Sequence, residues 1–272
     1  PVLPPFPFPV LSPQLSCRTL WHAVRHCLRD NLRTLRLRGA LRSPGRHRLL
    51  SPALLAALAA RCPRLERLCL TEADLHPLPY PSLPASLSAL ELSCCEIPSP
   101  WFCGGSSSSP LLRRLELRNV PAFSDRHLLN VAVSSRGRLR TLSLSGTYRL
   151  TDAGIERAAP HLEELERLEL HRCVLSDSAL GSVARHAKRL RVLAVTSVPQ
   201  LTDAGLASLA ALQRLETLRL DLDNKFSLDA VVALCRALPR LRDFALDGVR
   251  SEDEAAGEIR ACVPRCSFSP PA

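Results

Sequence analysis

The pattern Leu-x-x-Leu-x-Leu recurs so regularly in this chain that it limits the folds available. It occurs at Leu32/Leu35/Leu37, Leu65/Leu68/Leu70, Leu87/Leu90/Leu92, Leu112/Leu115/Leu117, Leu139/Leu142/Leu144 and Leu165/Leu168/Leu170. Slightly varied forms follow at Leu190/Leu193/Val195, Leu215/Leu218/Leu220 and Leu241/Phe244/Leu246. The steps between first positions are 33, 22, 25, 27, 26, 25, 25 and 26 residues, so one unit of near-constant length is used again and again. The last two apolar residues of each match are two apart and fall on one face of a short strand, and the residues between and beside them fall on the other.

Between the strands the sequence turns helical. Thr151-Asp152-Ala153-Gly154-Ile155, Ser176-Asp177-Ser178-Ala179-Leu180 and Thr202-Asp203-Ala204-Gly205-Leu206 each place a hydroxyl at a helix cap and an acid in the first turn. Ser124-Asp125 does the same, and Ser51-Pro52 opens a helix with proline at its first position. A strand-turn-helix unit of this size cannot bury its apolar face alone. The expected fold is therefore an α/β leucine-rich-repeat solenoid, a horseshoe of nine to ten repeats with parallel strands on the concave face and helices on the convex face. The repeat domain is expected over residues 17–266, after a proline-rich, disordered segment 1–16 and before a disordered tail 267–272. Cys17 to Leu28 reads as the helix of an incomplete first unit, Glu252 to Arg260 as a last helix and Cys262 to Phe268 as a closing strand. Loops are expected at the basic insertion Arg42 to Arg48 and at Pro98 to Pro110, which carries a Gly-Gly-Ser-Ser-Ser-Ser run.

Composition excludes several classes. Charged residues interrupt every apolar stretch, so no membrane span is expected. The start PVLPPFPFPVLSPQ lacks the basic first segment and small-residue cleavage site of a signal peptide, and the absence of an initial Met suggests an incomplete amino terminus. Eleven cysteines, an odd number without a framework, and the absence of a glycosylation sequon place the chain in a reducing compartment, cytoplasmic or nuclear. The net charge of +10 lies almost wholly in residues 1–136, which hold 17 Arg against 8 acids. That could attract nucleic acid, but no aromatic platform or recognition helix with a zinc motif accompanies it, and an acidic or phosphorylated protein partner fits better. No CxxC or HxxxH spacing supports Cys94-Cys95 with Cys103, or His171 with Cys173, as metal ligands. Cys94 or Cys95, and Cys173, instead suit the tight position after a strand. A nucleophilic Cys69 has no oxyanion site or phosphate cradle to work with. No cofactor is expected, and the chain reads as a non-catalytic binding protein.

The blocks LTDAGI and LTDAGL, following LRTLSLSGTYR and LRVLAVTSVPQ, resemble the cysteine-containing leucine-rich repeats of F-box proteins. LSPALLAALAARCPRLERLCLTEADL and SLPASLSALELSCCEI carry the likeness beyond the general repeat, and it covers most of residues 20–266. The resemblance implies the substrate-recognition part of an SCF-type cullin–RING ubiquitin ligase. In such a receptor an F-box docks on the Skp adaptor while the repeats hold a protein for ubiquitination and proteasomal degradation. An F-box needs about forty residues ahead of the repeats, a size at the low end for a domain. Sixteen precede Cys17, so the F-box itself is missing from this chain and adaptor and ligase binding is expected only if one lies upstream. The alternative is a stand-alone repeat adaptor or inhibitor that binds a protein without directing ubiquitination.

The strand positions that point away from the leucines form the expected binding surface. Its candidate substrate contacts are Arg36, Arg38, Arg67, Glu91, Arg114, Glu116, Arg118, Arg167, Glu169, His171, Arg219 and Asp221. Arginine dominates the early repeats, Arg and Glu mix in the middle, and aspartate closes the series, an order that would orient an elongated partner by charge.

Overall fold

The computed structural model describes the chain except for residues 1–16, 40, 42–49, 104–108, 136, 222–225, 249–253 and 270–272. The expected disordered start and the Arg42–Arg48 loop lie outside the described residues.

Ten five-residue strands form one parallel sheet in strict sequence order. They are β1 (Thr34–Arg38), β2 (Arg67–Thr71), β3 (Ala89–Ser93), β4 (Arg114–Arg118), β5 (Thr141–Ser145), β6 (Arg167–His171), β7 (Val192–Thr196), β8 (Thr217–Asp221), β9 (Asp243–Asp247) and β10 (Arg265–Ser269). Nine of them carry the nine leucine patterns. The register aligns like with like, Leu35 on Leu68 on Leu90 on Leu115 and onward, so each leucine column is continuous and buried. β10 extends to Ser269, so the expected boundary between domain and tail falls inside a strand: residues 267–269 pair with Ala245, Leu246 and Asp247 and are not a disordered tail.

The helices are α1 (Cys17–His22), which continues as a π-helical turn to Cys27, α2 (Pro52–Arg61), α3 (Asp125–Ser134), α4 (Asp152–Ala158), α5 (Asp177–His186), α6 (Asp203–Ser208), α7 (Leu228–Ala237) and α8 (Glu254–Cys262). Helices are about 10 Å across whereas strands repeat at about 4.8 Å, so backing the strands with helices bends the array with the sheet inside. No described helix is long and apolar enough to cross a membrane.

Each strand must end abruptly to return the chain to the convex side. The residue after the strand takes a left-handed backbone at Glu72, Cys94, Asn119, Gly146, Arg172, Ser197 and Gly248, with φ between 50° and 95°. The next residue is small or β-branched and buried in six of these turns: Ala73, Cys95, Val120, Thr147, Cys173 and Val198. Cys95 and Cys173 thus occupy the tight position expected for them, with Cys95 Sγ donating to the Leu70 carbonyl at 3.4 Å. Cys94 instead supplies the left-handed residue.

Ser51, Ser124, Thr151, Ser176 and Thr202 are all helix N-caps, as expected, and Ser227 is a sixth. Their neighbouring aspartates do more than complement a helix dipole. Asp125 accepts the Thr151 backbone N–H at 2.8 Å and the Thr151 hydroxyl at 2.7 Å. Asp152 grips Ser176, Asp177 grips Thr202, and Asp203 grips Ser227 in the same two-point way. A four-rung ladder of carboxylates therefore ties the start of each helix to the next.

Among the described residues, no α-helix forms between β2 and β3 or between β3 and β4. Trp101 and Phe102 fill that volume with Tyr80, Phe123 and His127, their rings 4.7 to 6.3 Å apart. Trp101 Nε1 donates to the Leu78 carbonyl at 2.7 Å. No helix forms in the described part of Pro98–Pro110, as expected, but Trp101 and Phe102 anchor it in the core. Burial holds the His127 imidazole below its ordinary pKa of 6.5, so the fold prefers the neutral ring. Stability from this residue is complete above pH 6.5 and falls as acid protonates the unfolded state first and the folded ring later. The melting temperature should drop between pH 7 and pH 5, and His127→Gln, itself less stable, should flatten that part of the slope. An unchanged slope in the variant would remove His127 as the cause.

Candidate protein-binding face

The outward strand residues form three parallel rows across the sheet, set by the pairing register. The first row contains Arg67, Arg114 and Arg167, the middle row Arg36, Glu91, Glu116, Glu169 and Arg219, and the third Arg38, Arg118, His171, Asp221 and Asp247. Charges in neighbouring rows pair along a strand or diagonally with the next one. Arg114 Nε donates to Glu116 at 2.6 Å, Arg167 Nη1 to Glu169 at 3.1 Å, and Arg67 Nε lies 3.6 Å from Glu91. Arg118 lies 4.0 Å from Glu116.

Eleven of the twelve expected contact residues reach this face exposed or partly exposed, with Glu116 at 13% of its side chain; Asp221 does not. It is 7% exposed and accepts the Ser197 backbone N–H at 2.6 Å, which holds the left-handed turn after β7. His171 is half-buried, and its Nδ1 lies 2.8 Å from Thr196 Oγ1. The acidic end of the expected charge gradient is also taken up internally. Arg219 donates to Asp247 at 2.8 Å, and Arg265 lies 3.6 Å from Asp243. Hydrogen bonding from Arg219 and Ser269 outweighs the desolvation of Asp247 and lowers its pKa. The face is patterned by rows more than it is graded from end to end.

A groove of about 500 Å³ opens over β1 to β4, lined by Arg36, Arg38, Cys69, Thr71, Glu91, Ser93, Glu116 and Arg118. Arg38 Nη2 donates to Glu72 at 3.0 Å, a partner the strand alternation did not reveal because Glu72 sits in the left-handed turn. Cys69 forms part of the floor, 9% exposed, with its Sγ donating to Glu91 at 3.1 Å. Burial, reinforced by that carboxylate, pushes its thiol pKa up to about 12. Thiolate is the reactive form, so alkylation at neutral pH should modify exposed Cys27, Cys103 and Cys262 and spare Cys69. Rapid labelling of Cys69 in a peptide map would contradict this environment.

The metal-ligand sets considered from the sequence do not assemble. Among the described residues, the grouping that does is Asp74, His76 and Glu96, beside the turns after β2 and β3. There Asp74 is engaged locally, 2.7 Å from His76 Nδ1 and accepting the His76 backbone N–H at 3.0 Å.

No family model matches the chain. Human F-box/LRR-repeat protein 12 is 39% identical to it over 258 residues, 92% of this chain and 78% of that protein. The chain belongs to the F-box/LRR-repeat family. The bovine F-box/LRR-repeat protein 12 is 38% identical over the same extent. Among solved structures, Rad7 in the yeast Rad7 and Elc1 complex superposes with a TM-score of 0.64, covering 92% of this chain and 66% of that one at 19% identity, which supports the repeat fold. For an F-box/LRR-repeat protein the conspicuous surface is the three-row face, since the leucine columns are spent on the core and the Ser/Thr-Asp pairs on linking helices.

Proposed function

We propose that this chain is the substrate-recognition part of an F-box receptor, holding protein substrates on its concave face for ubiquitination by an SCF-type cullin–RING ligase. The observation that carries the reading is the three-row charged face. Its pairs are solvent-accessible, and exposed ion pairs contribute about 0–1 kcal/mol each, so a partner can exchange them at little cost. A concave sheet ten strands long also offers an extended surface, the form in which repeat proteins take macromolecules. In this reading the chain is a non-catalytic receptor of the cytosol or nucleus, and docking on a Skp adaptor belongs to an F-box joined to it.

The test is photo-crosslinking in cells, with the photoreactive residue at Ser145 on the concave face or at Glu163 in the exposed turn before β6, using the intact protein. Proteins captured from Ser145 and not from Glu163 should accumulate when the receptor is depleted and lose ubiquitin conjugates. Concave partners whose abundance and ubiquitination stay constant would instead indicate an adaptor that masks its partner.

A further inference from the structure

The turns after β2 and β3 run side by side beyond the sheet. Asp74 and Glu96 form an isolated parallel bridge there, with the Leu75 N–H donating to the Glu96 carbonyl at 2.9 Å and the Glu96 N–H to the Ala73 carbonyl at 3.0 Å. Residues paired in this way carry their side chains on one face. His76 turns back to the same place, its Nδ1 2.7 Å from Asp74 Oδ1, and one ligand atom from each of the three residues lies within 4.8 Å of the others. Ala73, Leu75, Cys95 and Ile97, the neighbours in sequence, are buried, so the backbone that carries the trio is anchored in the core.

Folding alone does not call for acids at these positions. Asp74 and Glu96 each stand third after their strand, and in the next four turns that position holds Pro121, Tyr148, Val174 and Pro199. Like charges set directly opposite on paired backbone repel. The Glu96 carboxylate has no hydrogen bond or ion pair among the described residues. A cation held between the two carboxylates turns that repulsion into attraction. The imidazole decides which cation: calcium and magnesium take oxygen ligands, whereas zinc accepts nitrogen and oxygen together. Ligand atoms around a tetrahedral zinc stand roughly 3.3 Å apart at bond lengths of about 2.0–2.1 Å, so side-chain rotation can close this trio on an ion without moving the backbone.

We propose that Asp74, His76 and Glu96 bind one zinc ion, with water in the fourth position, as a staple between the turns after β2 and β3. His76 ligates through Nδ1 as the neutral ring with its proton on Nε2, and the ion replaces the present contact between imidazole and Asp74. The place suits a staple, since the carboxylate ladder begins only at Asp125 and no α-helix forms among the described residues between β2 and β4. The site is separate from the concave face and does not depend on what that face holds.

The probe is zinc chloride, added to the full chain after chelation to strip metal and alkylation of accessible thiols, which would otherwise compete for the ion. Competition with a chromophoric chelator should report one equivalent of zinc, held at least about tenfold more tightly than calcium, and zinc should raise the melting temperature. His76→Ala and Glu96→Gln should each weaken zinc binding at least about tenfold and remove that rise. Without metal, Glu96→Gln should melt at or above the wild-type temperature because the opposed charge is gone, which separates loss of a ligand from loss of the fold. Glu163→Gln, in the turn before β6, should bind zinc as the wild type does. Absence of a stoichiometric site, calcium held as tightly as zinc, or zinc binding that survives both variants would overturn the assignment.

Discussion

Trp101→Ala is expected to lower stability by about 3–5 kcal/mol, the range for deleting a fully buried aromatic side chain. The indole is 2% exposed, packs edge-on against Tyr80 and Phe102, and donates to the Leu78 carbonyl at 2.7 Å. Its loss opens a cavity where the described residues of two consecutive repeats form no α-helix to close over it, and leaves a buried carbonyl without its donor. Each repeat touches only its neighbours, so the damage should be regional. Amide exchange should accelerate across β2 to β4, which border the cavity, while β6 to β8 retain their protection. A loss below about 1 kcal/mol, or uniform acceleration, would show that the aromatic cluster is not the pillar of these repeats.

Asp177→Ala is expected to cost about 1–3 kcal/mol, because charge-assisted bonds to the N–H and hydroxyl of Thr202 disappear together. Partial solvent access at this surface places the value toward the lower end. Asp177→Asn, which keeps an acceptor for the N–H and loses the charge, should fall between wild type and alanine. Asp152→Ala/Asp177→Ala should destabilise further, since the rungs act on successive helices α5 and α6. Chemical denaturation of these variants beside Glu163→Ala, an exposed acid outside the ladder, separates the ladder from general charge effects. Values matching the Glu163→Ala control would reduce the ladder to surface decoration.

The strand positions, their parallel order and the leucine columns were legible because burial demands an apolar residue at fixed spacing, and that demand is local. The hydroxyl caps were legible for the same reason. The inter-repeat role of the aspartates was not, although Ser/Thr-Asp recurs at the repeat length between residues 124 and 203. A carboxylate in a first helical turn satisfies a dipole argument completely, so nothing in one repeat alone requires a partner in the next. Trp101 and Phe102 were hidden by the adjacent glycine-serine run, whose composition dominated the reading of the segment. On the candidate face, alternation located eleven of the twelve residues, yet strand direction alone cannot tell an exposed carboxylate from one folded back on a turn. Asp221 is the example: it shares its row with Arg118 but serves the Ser197 backbone. Glu72, which restrains Arg38, falls outside the alternation altogether.

The central claim is that the three-row face is where a protein partner is held. The direct measurement is the affinity of a partner recovered by concave crosslinking for chains carrying Arg114→Ala/Arg167→Ala on that face or Arg157→Ala on α4. The account expects a loss of about tenfold or more for the concave double variant and none for Arg157→Ala. Equal affinities across wild type and both variants would contradict it and move the binding surface off the sheet.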